Sequence, residues 1–579
     1  MTKYIRTHAL FLILIIFLNS VIVSDYLFFG TKAANFDATT HVTTIAQFHK
    51  AMSEGDFPVG WADGFGNYGI PLGNITHQLP IYIGALLTFS THDPLLSFNL
   101  VYLITGIISA ITFYLFLSIF FSSETTLIAT ILYSLAPYRI LNLYTRGALP
   151  EFSVGIWAPL IFIAIYFIRY SGRPIWYLLL TLSVFGVVET HPLMVLIYAP
   201  IAIIWYLLVI KIDFAKTLRI GVAAFFGLVM SSYYFLPFLI ESKYLYFGST
   251  ISHYARNQTT LLSSFINPFW RYSCIERNDI FGKCHLIKAG VLETTIMIGL
   301  IIVGLLYLAY RKGILTKKVT IFHQWQQYLL SNKHYKTIYI FVITGGLISI
   351  LLSTNALEFL YERIRILGNI QFPWRFLSAY QFFPPIALAL LYEYLRKYKW
   401  SKIVWGLLIA FIIFTRFPQL YGKNYTNIPI SNYYFTKLNL HALTMNPIWT
   451  GDSVDYPVRR EKAYIIRGSG QIINRDLKNS SRQYVIQADT ELQVSDSTFY
   501  FPGWHVYVDG IDTDIQFQDP SYRGVITYPL SPGKHTVRIV YEDTKIRFIG
   551  KIISIISIVA FCVWGIWIII KTKLSRKLK

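Results

Sequence analysis

The chain has 579 residues, 54% of them hydrophobic and 14% charged, a balance that excludes a soluble globular protein, which must keep a charged surface in water. Its formal net charge of +21 would suggest nucleic acid in a soluble protein, but here Lys and Arg fall mainly in short connections between apolar runs, so membrane orientation explains the charge and no nucleic-acid partner is expected. Three cysteines exclude a disulfide scaffold and a thiolate metal site.

A span needs about 20 mostly apolar residues. The sequence predicts twelve, near 8–28, 95–121, 123–138, 152–168, 175–189, 192–210, 218–240, 289–309, 337–354, 376–396, 402–418 and 548–570. The first follows Lys3 and Arg6 as a signal peptide would, yet it lacks a small-residue cleavage site and is read as a retained span. An even count puts both basic termini on one side, with the strongly basic connections 169–173, 211–219, 311–336 and 396–402. Both termini are therefore expected in the cytoplasm of a cell with this chain in its membrane. The apolar stretch 79–90 is short and is read as interfacial or re-entrant.

Three large segments, 29–94, 241–288 and 419–547, then face outward. The organisation expected is a helical domain over 1–418, a β-rich extracytoplasmic domain over 419–547, and a final span with a basic tail over 548–579.

The first outer loop opens with Asp37 and His41, four residues apart and able to share a helix face. Asp37 has two compatible readings: N-cap of the helix that follows, and a carboxylate at the lipid–water boundary placed to act as a general base. Further along come Asp56-Phe-Pro58, Trp61-Ala-Asp63, Tyr68-Gly-Ile-Pro71 and His77. These aromatics and glycines suit interfacial anchoring or the wall of a water-filled cavity, with Asp63 and His77 as candidate substrate contacts.

Two shorter outer loops carry Arg139, Arg146 and Glu151, and Arg363, Arg365 and Arg375. The positive-inside tendency would normally remove outward charge of this kind. Glu189-Thr-His191-Pro192 sets a histidine at an outer helix end, either as a substrate contact or as a satisfied membrane-edge side chain. Cys274 and Cys284 share one polar loop, and they either pair in an oxidising compartment or remain free thiols. From about Thr490 the pattern becomes short alternating strands broken by turn signals, including Asp509-Gly510 between Trp504-His-Val-Tyr-Val508 and the next run, a hairpin signature. A small antiparallel sheet, closed as a sandwich by further strands at 524–528 and 535–541, is expected before the last span.

Asp37 with His41, Gly55-Asp-Phe-Pro58, Trp61, Tyr68-Gly-Ile-Pro71, Gln371-Phe-Pro-Trp-Arg375-Phe and Pro502-Gly-Trp504 together resemble polytopic glycosyltransferases of the GT-C fold. The likeness is to YfhO-like bacterial proteins and a related membrane family labelled pyruvoyl-tetrahydropterin-synthase-related. Nothing in the sequence resembles a soluble pterin-forming enzyme. The resemblance implies transfer of a sugar from a polyprenyl-phosphate donor to an extracytoplasmic envelope polymer, glycolipid or protein, with Asp37 as catalytic base. Arg375, with Arg139, Arg146 and Arg365, is implied as a phosphate contact, since guanidinium suits bidentate binding of phosphate, the alternative for each being snorkelling to lipid headgroups. The paired Asp-Glu of protein mannosyltransferases is missing from the first loop. A divalent metal therefore finds no ligand cluster, and no cofactor is assigned.

Two other classes stand beside this reading: a transporter or flippase of a lipid-linked envelope component, and a non-catalytic envelope-assembly protein whose β-rich region binds a partner. Transporters usually carry repeated halves and charged or broken helices at mid-membrane, and the sequence displays no such repeat.

Overall fold

In the computed structural model, residues 2–29, 32–33, 37–75, 77–210, 213–246, 259–260, 289–312, 320–420, 425–426, 428–435, 446–450 and 461–577 are described. Cys274 and Cys284, the expected disulfide candidates, lie outside them. The apolar runs are helical because, inside a bilayer, a helix satisfies every backbone N–H and C=O within its own segment.

Among the described residues, six helical stretches are long and apolar enough to cross a membrane: Thr7–Leu27, Pro94–Ser118, Leu149–Tyr170, Lys333–Ser353, Ser401–Gln419 and Lys545–Lys571. Two bent pairs raise this to eight, and Leu79–Thr91, Ile175–Thr190, Met194–Ile210 and Val291–Leu306 are shorter apolar helices. All of these except Leu79–Thr91 coincide with predicted spans. The predicted span 376–396 is instead divided into Leu377–Tyr380 and Phe383–Leu395. Pro384 and Pro385 occupy the first turn of the second piece, where their missing N–H groups do no harm, and they restrict the residue before them.

The predicted span 218–240 is also broken, by 78° between α11 (Phe214–Met230) and α12 (Ser232–Glu241). The turn is stabilised from outside, since the Tyr233 N–H donates to the Ser554 hydroxyl of the last helix at 2.8 Å. The second bend, 42°, separates α5 (Ser123–Ser134) from α6 (Pro137–Ile140). Ala136 is extended there, as the residue before a proline prefers.

One helical core joins α1 (Thr2–Phe29), α2 (Ala38–Ser53), α3 (Leu79–Thr91), α4 (Pro94–Ser118) and the helix Ser401–Arg416 through Ile22, Val42, Ile81, Phe98 and Ile412. A second centres on Phe116, Phe162, Trp205, Phe341 and Phe382. Tyr433 packs into the first of them, so the segment just after the predicted helical domain still lies against the bundle.

The β-rich region starts earlier than the turn signals suggest. A five-stranded sheet runs β4-β5-β10-β7-β8 and a three-stranded sheet runs β3-β6-β9, all antiparallel. The strands are β3 (Ala463–Arg467), β4 (Gly470–Leu477), β5 (Ser481–Ala488), β6 (Leu492–Phe499), β7 (Trp504–Val508), β8 (Ile511–Thr513), β9 (Val525–Leu530) and β10 (Gly533–Tyr541). The Asp509-Gly510 hairpin forms as predicted, with Val508 paired to Ile511 and both turn residues at positive φ, 51° and 85°.

The core of this region takes in Trp61 and Tyr68 from the first outer loop. Trp61 meets Trp504 edge-on at 5.1 Å between ring centroids, and Tyr68 stacks on Phe499 at 4.9 Å. Asn479 then ties the loop's polar groups, donating to the Asp56 carboxylate and the Trp61 carbonyl, both at 2.9 Å. These loop aromatics therefore form the floor of the β-rich region, and Trp61 also lines a polar cleft beside it.

Candidate functional site

The site is assembled by the turn that follows the Pro137 bend. After α6 the chain makes a π-helical turn over Leu141–Arg146, reverses at Gly147 with φ of 67°, and enters α7 (Leu149–Ser153). Only glycine adopts that left-handed conformation without a steric cost, and the reversal folds Glu151 back onto Arg146. Arg146 Nη1 donates to Glu151 at 2.7 Å and to Asn142, one turn earlier, at 2.7 Å. The Tyr138 hydroxyl donates to the other Glu151 oxygen.

Two further elements converge on this pair. The 3-10 turn Pro373–Phe376 brings Arg375, whose Nε lies 3.3 Å from Glu151, and Trp374, whose ring lies under the Arg146 guanidinium at 4.4 Å. From the first outer loop, the Asp37 backbone N–H donates to the Arg146 carbonyl at 2.7 Å, and its carboxylate stands 3.8 Å from Arg146 Nη2. Asp37 occupies the N-cap position of α2, but its side chain makes no capping hydrogen bond; it is turned to the guanidinium. The two carboxylates beside Arg146 differ in access, since the Asp37 side chain is 44% exposed and that of Glu151 only 2%.

Three imidazoles complete the cluster. His41 of α2 lies 6.2 Å from His77, and His77 lies 4.3 Å from His191, measured between ring centroids. Burial, with repulsion from Arg146, brings His41 down to about 3. Burial first, then the closeness of the other imidazoles and of the Arg375 and Arg146 guanidiniums, holds His77 and His191 well below the usual range. All three are neutral at physiological pH. The Nδ1 atoms of His77 and His191, and Nη1 of Arg375, are buried and have no hydrogen-bond partner among the described residues.

The structure thus gathers Asp37, His41, His77, Arg146, Glu151, His191 and Arg375 in one place, and it leaves out two of the residues singled out from sequence. Asp63 pairs with Lys50 at 2.7 Å beneath the β-rich region. Arg139 is buried and donates to the Ser109 and Tyr133 hydroxyls, at 2.7 and 2.9 Å, between the rings of Tyr133 and Phe152. Tyr138 and Asn142 were not singled out from sequence, and Trp374 only as part of the motif around Arg375. The spacing of Asn142 to Arg146, four residues on one helical face, was the available signal. Among the described residues no three His, Cys, Asp or Glu side chains are grouped to hold a metal ion.

Two cavities lie outside the cluster, and no residue of it is among their walls. A polar cleft of about 270 Å³ lies between the first outer loop, the β-rich region and the last helix, with Asp56, Asn74, Tyr233, Ser480, Tyr541 and Lys551 among its walls. Tyr233 connects it to the cluster by donating to Glu189, two residues before His191, at 2.8 Å. An apolar groove of about 340 Å³ runs between α8 (Trp157–Tyr170), α9 (Ile175–Thr190), α10 (Met194–Ile210) and α11. Val187 and Val195 line it on either side of the His191 turn.

The family model described as "6-pyruvoyl-tetrahydropterin synthase related domain; membrane protein" matches residues 77–422. Among solved structures, an arabinofuranosyltransferase from mycobacteria, determined by single-particle cryo-EM, is similar at 12% identity and a TM-score of 0.41. The match covers 73% of this chain and 28% of that one, so the chain spans little more than a quarter of its length. No curated protein matches.

Proposed function

The chain belongs to this family of membrane proteins carrying the 6-pyruvoyl-tetrahydropterin synthase related domain, and from that premise we propose that it is a GT-C-type glycosyltransferase. Its donor is a sugar on polyprenyl phosphate, and its acceptor is an envelope polymer, glycolipid or protein outside the cytoplasm. The β-rich region then faces outward and both termini lie in the cytoplasm.

The observation that carries this reading is the unequal pair of carboxylates on Arg146. Glu151 is buried and fully engaged by Tyr138, Arg146 and Arg375, which suits a fixed counter-charge. Asp37 is the accessible one and, as general base, accepts the proton of an acceptor hydroxyl as that oxygen attacks the anomeric carbon. The sugar's bond to phosphate breaks with its electron pair on the phosphate oxygen. Arg375 and Arg146 supply positive charge where that negative charge grows. The apolar groove, walled in part by Val187 and Val195, fits an isoprenoid tail, and the polar cleft fits a hydroxyl-rich acceptor.

The test is Asp37→Asn in the purified full-length protein, incubated with polyprenyl-phosphate sugars and scored for release of the carrier. Loss of transfer by at least about 100-fold is expected, the usual scale for removing a general base. An Asp37→Asn protein that transfers at the original rate overturns the assignment.

A further inference from the structure

The charges of the site balance before any substrate arrives. Among the described residues, Arg146 and Arg375 are offset by Asp37 and Glu151, and the three imidazoles beside them are neutral. A lipid-linked sugar phosphate is a diester and brings one more negative charge. In a buried site an uncompensated charge is costly, and the structure holds two groups able to compensate it. His77 and His191 lie 4.3 Å apart, each with an Nδ1 that is buried and without a hydrogen-bond partner among the described residues.

We propose that binding of the donor's phosphodiester is coupled to uptake of one proton by the His77–His191 pair, which then serves as the hydrogen-bond donor to the phosphate. This rests on the glycosyltransferase reading and assigns the two histidines a role within it. The groups facing the pair are His41 from α2, Arg375 from the Pro373–Phe376 turn, Arg146 and Glu151 from the turn before α7, and each other. With no ligand, burial first, and then the neighbouring guanidiniums, keeps both rings neutral. With a phosphodiester between them and the guanidiniums, the sign of the local field reverses and one imidazolium restores neutrality.

Transfer then conserves charge at the site. The bond from the anomeric carbon to the phosphate oxygen breaks, a new bond forms to the acceptor oxygen, and the acceptor's proton passes to Asp37. The leaving phosphate gains one negative charge as Asp37 loses one. The imidazolium stays hydrogen-bonded to the phosphate throughout, so His77 and His191 hold the leaving group and Asp37 handles the acceptor.

The experiment titrates the purified full-length protein with a short polyprenyl methyl phosphodiester. This probe keeps a single negative charge over the range used, whereas a phosphate monoester titrates near pH 6. Calorimetry in two buffers of different ionisation enthalpy counts protons taken up on binding. Uptake of about one proton is expected, with affinity rising about tenfold for each unit that the pH falls. His41→Gln should keep the proton count, and the double variant His77→Gln/His191→Gln should abolish it. Binding with no proton uptake by the unmodified protein overturns this role and leaves the donor assignment standing. Absence of binding at every pH overturns the donor assignment and this role with it.

Discussion

Glu151 is the most exacting point at which to perturb the site. Replacing it with Gln keeps the side-chain shape and an oxygen able to accept from Tyr138, but removes the anion that lies against both Arg146 and Arg375, at 2.7 and 3.3 Å. It also turns an NH2 group toward a guanidinium or a hydroxyl. The two arginine side chains are only 10% and 9% exposed, so water cannot replace the lost charge. Removing one partner of a buried pair costs about 3–5 kcal/mol, and that is the loss expected for Glu151→Gln. Asp37→Asn is the matched control, because its carboxylate is 44% exposed and 3.8 Å from Arg146. An exposed pair of that kind is worth about 0–1 kcal/mol. The assay is unfolding of the detergent-purified protein followed by tryptophan fluorescence. Glu151→Gln should melt far below the parent, while Asp37→Asn melts near it and is inactive. Equal melting of the two variants would refute the division of the carboxylates into one that holds the site and one that does chemistry.

Arg375→Ala should act mainly on donor use, raising the apparent KM for the polyprenyl-phosphate sugar by about 10–100-fold, the scale of one charged hydrogen bond; an unchanged KM with reduced kcat would place the residue elsewhere in the mechanism. Trp61→Ala should loosen the β-rich region from the first outer loop, at about 3–5 kcal/mol for a fully buried Trp, seen as faster proteolysis within 463–541. Lys462, buried and repelled by Arg482, is lowered from 10.5 to about 7, against the pull of Asp496 and Asp63. Below about pH 7 both folded and unfolded chains carry its proton; between about 7 and 10.5 the folded chain releases it first, so stability should rise with pH across that window. Lys462→Met should flatten the rise, measured as melting temperature against pH.

The helices were legible because a span is a property of local composition: about 20 apolar residues announce themselves wherever they occur. Where they break was less legible. The 78° bend at Ser231 is stabilised by Ser554, more than three hundred residues away in the chain. Asp37, His41, His77, Arg146, Glu151, His191 and Arg375 could be singled out because charge and imidazole at outer loop edges demand a reason. That Arg139 and Asp63 belong to other networks could not be read, since their partners, Ser109 with Tyr133 and Lys50, carry no local signal. Strand β4 escaped notice because it has few alternating apolar positions and lies at a sheet edge, exposed along most of its length, whereas β5, buried at every second residue, carried an alternation that could have been read. Trp61 and Tyr68 read as membrane-edge aromatics because their companions, Trp504 and Phe499, lie more than four hundred residues downstream.

That last separation has a consequence for biosynthesis. Every residue of the cluster, from Asp37 to Arg375, has left the ribosome before the strands that shelter Trp61 and Tyr68 are made. A prematurely terminated chain would carry the whole reactive constellation but would leave two large aromatic rings and the backbone around them bare to water. Such a product would invite proteolysis, and only translation through the last strands would yield a protected molecule.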